Sequence, residues 1–306
     1  MSLAIEAPTV ESHTGHPVAA LAPHLFCPMG SDGVYARTEL FERVVEGLNR
    51  LITRLRQPGT QALRFPPVMS RRQLETTGYQ NNFPQLLGGV CCLGGHNGHT
   101  ANGSAGVEWA AAAAVSDLVI TPAACYPLYP IVAARGPVPT AGLLFDVQAD
   151  CFRREPSRQL DRLQSFRMRE FVCVGSAEQA SQFRANWLDR AGELAAQLGL
   201  SARLDKASDP FFGRTGKMLA ISQLENSLKY ELLIPIYSEE QPTACMSFNY
   251  HLDHFGLTWE IRTIGAETAH TACVAFGIDR LALALFAGHG TELSLWPQST
   301  REALNL

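Results

Sequence analysis

The succession of strand-like and helical stretches in this 306-residue chain predicts an α+β fold, a mainly antiparallel sheet flanked by helices. Three observations carry the expectation. Short runs rich in β-branched and aromatic residues recur at 143–147, 171–174, 230–236 and 257–264. Between them lie long helical and irregular stretches that never settle into the strand–helix–strand alternation of a parallel sheet. The chain is 46% hydrophobic and 18% charged, enough apolar material for a sizeable core.

Taken in order, residues 1–36 carry Pro8, Pro17, Pro23 and Pro28 and no periodicity, so they read as an irregular arm with at most a short strand. From Thr38, a good N-cap, the apolar residues Leu40, Phe41, Val44, Val45, Leu48, Leu51, Ile52 and Leu55 keep a helical period until Pro58-Gly59 stops it. Pro66-Pro67 punctuates a strand, and residues 110–115 read as a short alanine-rich helical piece. A second amphipathic helix spans 179–198, with Phe183, Trp187, Ala191 and Leu194 on one side and Arg184 and Arg190 elsewhere. A last buried helix starts at 277–285.

Charge and composition exclude several functions. A net charge of −4 and a pI near 6.1 argue against a chain whose main task is to grip a phosphate backbone. No basic start followed by an apolar run opens the sequence, and the longest apolar region, 109–134, holds Asp117, Pro122, Pro127 and Pro130. A cytoplasmic protein without a membrane span is expected. The eight cysteines lack short paired spacing, which points to free thiols or metal ligands rather than a disulfide framework. The glycine-rich stretch 88–99 has neither Gly-Lys-Ser/Thr nor Gly-x-Gly-x-x-Gly, so it reads as a surface turn, and His96 and His99 lack nearby partners for a metal.

A stronger pattern runs from Phe152-Arg153-Arg154-Glu155 through a polar loop to Phe166-Arg167-Met168-Arg169-Glu170-Phe171. Charges flanking a loop are commonly a solvated hairpin. Here their order resembles motif 2 of class II aminoacyl-tRNA synthetases, where an arginine clamps the α-phosphate, a glutamate accepts from the adenine amino group and an aromatic ring stacks on adenine. Three further segments resemble the seryl branch of that family. They are the stretch 120–128 with Cys125, the strand at Tyr230-Glu231 ending in Pro235, and Ala269-His270-Thr271 followed by Arg280, which is similar to motif 3. Cys125 stands where that branch has a glutamate holding the substrate amino group, Glu170 precedes the motif 2 phenylalanine, and Cys273 lies in the approach to motif 3. This is the pattern of the atypical zinc-dependent seryl-tRNA synthetases and of their truncated homologues, the amino acid:[carrier protein] ligases.

The resemblance implies the class II synthetase catalytic core over residues 37–306 and a homodimer interface built from 38 to about 72. It implies zinc on Cys125, Glu170 and Cys273, with Glu170 also meeting the substrate amino acid and one coordination position open for its amine. Arg153 is the catalytic residue implied. ATP is assigned to Arg153, Glu155, Arg162, Leu163, Lys229, Ala244, Cys245, Met246, Ser247 and Arg280, and magnesium to Glu231, while Thr243 stands near where a second magnesium-binding glutamate is expected. With no room expected for an N-terminal tRNA-binding domain, the acceptor becomes the phosphopantetheine thiol of a carrier protein. The alternative is a seryl- or alanyl-type tRNA synthetase acting with a separate tRNA-binding partner. Carrier proteins are generally acidic, which nominates Arg184, Arg190, Arg203, Lys206, Arg214 and Lys217 as a docking surface. The substrate expected is glycine, then alanine, from a pocket edged by Ala269, Ala272 and Ala275 and crowded by Phe248 or Trp259.

Overall fold

The computed structural model describes residues 17–93 and 113–306. The chain enters through a helix, α1 (Pro17–Leu25), and a hairpin, β1 (Phe26–Ser31) with β2 (Val34–Arg37), before the long helix α2 (Glu39–Arg54). Thr38 caps α2, its hydroxyl accepting the Phe41 N–H at 3.4 Å, and the helical stripe read from the sequence is buried from Phe41 to Ile52. Val18, Ala22 and Leu25 are buried in that same core. The expectation of an irregular arm is therefore corrected for 17–36, where an Ala- and Leu-bearing turn of helix finds an apolar surface that proline content alone does not reveal. Residues 1–16 lie outside the described ones.

There follow β3 (Gln61–Arg64), β4 (Val68–Ser70), the short α3 (Arg71–Thr76) and α4 (Tyr79–Asn82), β5 (Gly89–Leu93), β6 (Ala113–Ile120) and α5 (Leu128–Ala134). The hairpin of β7 (Leu143–Phe152) and β8 (Ser165–Gly175) leads to α6 (Ala177–Gln197), β9 (Arg203–Lys206) and α7 (Gly213–Glu225). The chain closes with β10 (Lys229–Ile234), β11 (Thr243–Tyr250), α8 (His254–Thr258), β12 (His270–Gly277), α9 (Ile278–His289) and α10 (Gln298–Leu304). Seven strands form the central sheet in the order β3-β7-β8-β12-β11-β10-β9, antiparallel except for the β3–β7 pair. A smaller sheet, β4-β6-β5, lies apart from it.

One face of the large sheet is covered by α6 and α9, with α2 packed on α9. Phe171, Phe248, Val274 and Phe276 face this layer, and a Ser176–Gln179 capping box starts α6. Between the layers lies a fully buried ion pair. Arg169 on β8 donates from Nε and Nη2 to the Asp146 carboxylate on β7 at 2.9 and 2.5 Å, and its remaining donors reach the Asn49 carbonyl and the Thr53 hydroxyl of α2 at 2.7 and 2.8 Å. Arg56 also binds Asp146. The same strand sends Arg167 to Asp279 of α9 at 2.7 Å and to Glu42 of α2 at 2.6 Å.

Four local expectations are corrected. Residues 113–115 are strand, not alanine-rich helix, because pairing with β5 overrides an intrinsic preference of a few tenths of a kcal/mol. The expected strand at 257–264 is the end of α8 followed by turns. Leu257 and Ile264 are 57% and 65% exposed, so their alternation does not mark a buried face. Gly256 sits so close to β12 that a Cβ there would fall 2.0 Å from the Ala269 carbonyl oxygen. The helix at 278–289 is not the last, since α10 follows it. Residues 89–93 of the glycine-rich turn form β5, while His96 and His99 lie outside the described residues.

Asp146→Asn should destabilise the protein by about 3–5 kcal/mol, because it leaves the Arg169 guanidinium buried without a counter-charge. Urea unfolding followed by circular dichroism will measure it, and an Asp146→Leu, Arg169→Met double variant should recover much of the loss.

Candidate active site

The face of the sheet opposite α6 and α9 is left to a cavity of about 440 Å³. Strand alternation decides what reaches it. On β8 the residues Phe166, Met168 and Glu170 face the cavity while Arg167 and Arg169 turn to the helices. On β12 the alternation presents Cys273 and Ala275, on β11 Ser247 and Asn249, and on β10 Lys229 and Glu231.

At one end of the cavity the Cys125 and Cys273 sulfurs and a Glu170 carboxylate oxygen all lie within 4.8 Å of one another, and all three residues are buried. Cys125 arrives on the turn between β6 and α5, its N–H donating to Glu170 Oε1 at 3.0 Å. Asn249 Nδ2 donates to Cys273 Sγ at 3.3 Å, and His251 Nε2 stands 3.6 Å from the same sulfur. The Cys125 thiol is pushed well up, first by its hydrogen bond with Cys273, then by burial and by Glu170. For Cys273 the bond with Cys125 pulls down, but burial and Glu170 prevail and raise it. Glu170 is raised by burial, against the hydrogen bonds it receives. Three acids crowded and buried, with no ion pair of their own and only the weaker pull of Arg153 on Glu170, suit a cation. Two thiolates and a carboxylate are a donor set that a borderline-soft divalent ion such as zinc takes, so the residues fit the metal.

The other end is basic and polar. Arg153 follows β7, donates from Nε to the Pro122 carbonyl at 3.2 Å and holds its guanidinium 5.5 Å from the Phe166 ring centroid. Glu155 lines the cavity as well. Arg162 does not, being exposed and 3.7 Å from Glu155. Leu163 is buried, and Ala244, Cys245, Met246 and Ser247 run along the wall. Arg280, on the first turn of α9, donates to the Asp161 and Ala244 carbonyls at 2.7 and 2.9 Å. Thr243 donates to the Asp161 carboxylate at 2.5 Å, in the place where a second acid was expected.

Lys229 forms an ion pair with Asp209 and another with Glu231 at 3.1 Å. Asp209 lies on the loop before α7, where the backbone N–H of Asp209 donates to Gln223 at 2.7 Å and Gln223 Nε2 donates to the Asp209 carboxylate at 2.8 Å. Burial alone would raise this carboxyl, but the Lys229 ammonium and the Gln223 amide hold it below the ordinary aspartate value.

The site therefore unites Cys125, Arg153, Glu155, Leu163, Glu170, Lys229, Glu231, the 244–247 segment, Cys273 and Arg280, drawn from six separated stretches. The residues nominated for substrate size fare less well. Ala275 lines the cavity, whereas Ala269 and Ala272 are fully buried, Phe248 belongs to the helix-side core, and Trp259 packs against the buried group that includes Phe145, Phe255 and Ile261. The docking arginines also divide. Arg184 is spent between the rings of Tyr230 and Tyr250 and on the Ser227 carbonyl, Arg190 lies over Trp187, and Arg203 pairs with Asp205. Asp209, Asn249 and His251 were missed, since a lone Asp in a Ser-Asp-Pro loop and polar residues ending a strand carry no local signal.

The fold is that of class II seryl-tRNA synthetases. The seryl-tRNA synthetase of Methanopyrus kandleri, solved in complex with a tRNASec, superposes with a TM-score of 0.75 at 22% identity, over 92% of this chain and 58% of that one. The Pyrococcus horikoshii seryl-tRNA synthetase complexed with ATP gives 0.67 at 17%, over 95% and 60%. No family model matches the sequence. Two proteins of Bradyrhizobium diazoefficiens, amino acid–[acyl-carrier-protein] ligases 1 and 2, are 57% and 58% identical over 312 residues, spanning all of this chain and 96% and 93% of theirs. The chain belongs to the amino acid–[acyl-carrier-protein] ligase family and is a ligase. A type-2 serine–tRNA ligase of Methanopyrus kandleri is 27% identical over 61% of this chain and 38% of its own length.

The Asp209–Lys229 pair gives a pH signature. The fold holds the Asp209 carboxyl ionised more firmly than the unfolded chain does. Its contribution is complete above the ordinary aspartate value of about 4 and disappears as the pH falls through the lowered folded value. Asp209→Asn should cost roughly 1–2 kcal/mol at pH 7, less than a fully buried pair because Asp209 keeps 33% side-chain exposure, and the difference from wild type should shrink at pH 3 in urea titrations.

Proposed function

We propose that the protein joins a small amino acid, glycine first and alanine next, to ATP as aminoacyl-adenylate and passes it to the phosphopantetheine thiol of a carrier protein. The observation that carries this is a single cavity with a buried Cys125–Glu170–Cys273 cluster at one end and Arg153, Arg280 and Lys229 at the other. The family's name supplies the two substrates, amino acid and acyl carrier protein.

In this reading Cys125, Glu170 and Cys273 hold a zinc ion, which when bound offers an open position to a neutral α-amino group. Arg153 orients the negative groups of both substrates, and Phe166 and Arg280 enclose the adenine with Glu155 at its amino edge. A carboxylate oxygen of the amino acid attacks the α-phosphorus and the bond to the β-phosphate bridging oxygen breaks, releasing pyrophosphate. The ionised carboxylate needs no general base. Arg153 meets the charge gathered on the α-phosphoryl oxygens, and Lys229 serves the departing phosphates. Glu231, with magnesium, belongs to the phosphate side of this proposal. The carrier's thiolate then attacks the acyl carbon, AMP leaves with the electron pair of the C–O bond, and the thiol proton goes to solvent.

The carrier surface assigned here is α7. Gly216 is its one buried residue, Met218 and Ile221 are 68% and 55% exposed, and Arg214 and Lys217 stand on the same helix, so it offers an acidic carrier both apolar contact and charge. The catalytic unit is taken as 37–306 and the assembly as a homodimer through the 38–72 region. A cytoplasmic location accords with the absence, among the described residues, of a helix long and apolar enough to cross a membrane.

Freshly purified protein should carry one zinc per chain by elemental analysis, and Cys125→Ala with Cys273→Ala should lose both the metal and amino acid activation. Retention of zinc and activity in that double variant would remove the metal assignment. Pyrophosphate exchange across the amino acids should run fastest with glycine, then alanine, at a separation of about 1–3 kcal/mol, and poorly with serine. The label should appear on holo carrier as a hydroxylamine-sensitive thioester and not on tRNA. Exchange fastest with serine, or robust tRNA acylation, overturns this reading.

A further inference from the structure

Helix α7 forms one wall of the cavity through Leu219, Ser222 and Gln223, yet Gly216 is its one buried residue. A helix with so little core needs another hold, and the loop in front of it supplies one. Near the start of α7, Gly216 lies so close to that loop that a Cβ would fall 2.7 Å from the Phe211 carbonyl carbon. Toward the other end the Gln223 side chain closes a pair of hydrogen bonds on Asp209. Its Oε1 accepts the Asp209 N–H at 2.7 Å and its Nε2 donates to Asp209 Oδ2 at 2.8 Å. Only one orientation of the amide satisfies both, because one partner is a donor and the other an acceptor.

With Oδ2 and the backbone N–H both held, the Asp209 carboxylate no longer turns freely, and its Oδ1 receives Lys229 Nζ at 2.5 Å. Glu231 takes a second ammonium proton at 3.1 Å. An ammonium has three donors and no acceptor, so two fixed partners leave one proton for a group in the cavity that Lys229 lines. The backbone braces the same contact, the Ala207 N–H donating to the Lys229 carbonyl at 3.0 Å. A free lysine spreads over many rotamers, whereas this one is buried and tethered before a ligand arrives.

We infer that Asp209 and Gln223 are positioning residues for Lys229. Gln223 sets the Asp209 carboxylate, Asp209 sets the ammonium, and the ammonium meets the phosphate oxygens that gather charge as pyrophosphate departs. The inner face of α7 thereby belongs to the phosphate site. This rests on the reading above that Lys229 serves the departing phosphates.

Gln223→Leu removes both hydrogen bonds of the amide without changing any charge, and Asp209→Asn keeps the shape of the carboxyl group while ending the ion pair. In pyrophosphate exchange with the amino acid that exchanges fastest, each should lower kcat about 10-fold or more and leave KM for that amino acid unmoved. Lys229→Met should lose at least as much. Built into the Lys229→Met protein, Gln223→Leu or Asp209→Asn should cost less than about twofold further, because the group they position is gone. Residues with a merely structural role would multiply their losses with that of Lys229→Met. Full multiplication, or an unchanged kcat in both single variants beside a crippled Lys229→Met, overturns the inference. Undiminished exchange in Lys229→Met removes the phosphate reading of Lys229 itself.

Discussion

The buried pair between Arg169 and Asp146 is the constraint on which the arrangement of the site depends. A guanidinium and a carboxylate with no water between them must be matched by all of their hydrogen bonds or the layer opens. The match is met by α2, through Asn49 and Thr53, and by Arg56. Because side chains alternate along a strand, committing Arg167 and Arg169 to the helix side of β8 commits Phe166, Met168 and Glu170 to the other. A slip of one residue would send arginines into the cavity and the glutamate into the core, so the ion pair fixes the strand's register as well as its position.

Opposite ends of the cavity solve the problem of buried charge differently. Around Lys229 the chain supplies its own counter-charges, Asp209 and Glu231, and the group stays ionised. Around Cys125, Glu170 and Cys273 it supplies no ion pair, the pull of Arg153 on Glu170 being outweighed by burial, and every one of the three is pushed toward its protonated form. The first arrangement is complete within the chain and the second is one that could hold a cation. That asymmetry gives the cavity two unlike ends, and the proposed adenylate formation assigns phosphate to one and amine to the other.

The helix α7 joins the outer surface to this chemistry. Met218 and Ile221 face outward and Leu219 lines the cavity, while Gln223 near the helix end grips Asp209, and Asp209 pairs with Lys229. Phe211, just before α7, stacks with Phe83 at 5.0 Å, and the Phe212 N–H reaches the Asn82 carbonyl at 2.8 Å, so the connection is held against the end of α4.

Much of this was legible in the sequence wherever the signal is local. Periodicity, with the Thr38 cap for the first, placed α2 and α6 closely, because each helix reports its buried face every three or four residues. The motif order named Cys125, Glu170, Cys273, Arg153 and Arg280 from their resemblance to a family, and these do meet in one cavity. The sequence failed where neighbours decide. Residues 113–115 read as helix until paired with β5, Leu257 and Ile264 alternated without burial, and Arg184 looked free until two tyrosines enclosed it. Asp209, Asn249 and His251 acquire meaning only through partners 20 to 24 residues away, since a hydrogen bond or a counter-charge is a property of distance in space. Residue type and periodicity determined which helices could form and which groups could bind a metal or a phosphate. Packing alone decided which face of each strand those groups occupy and which charges each of them meets.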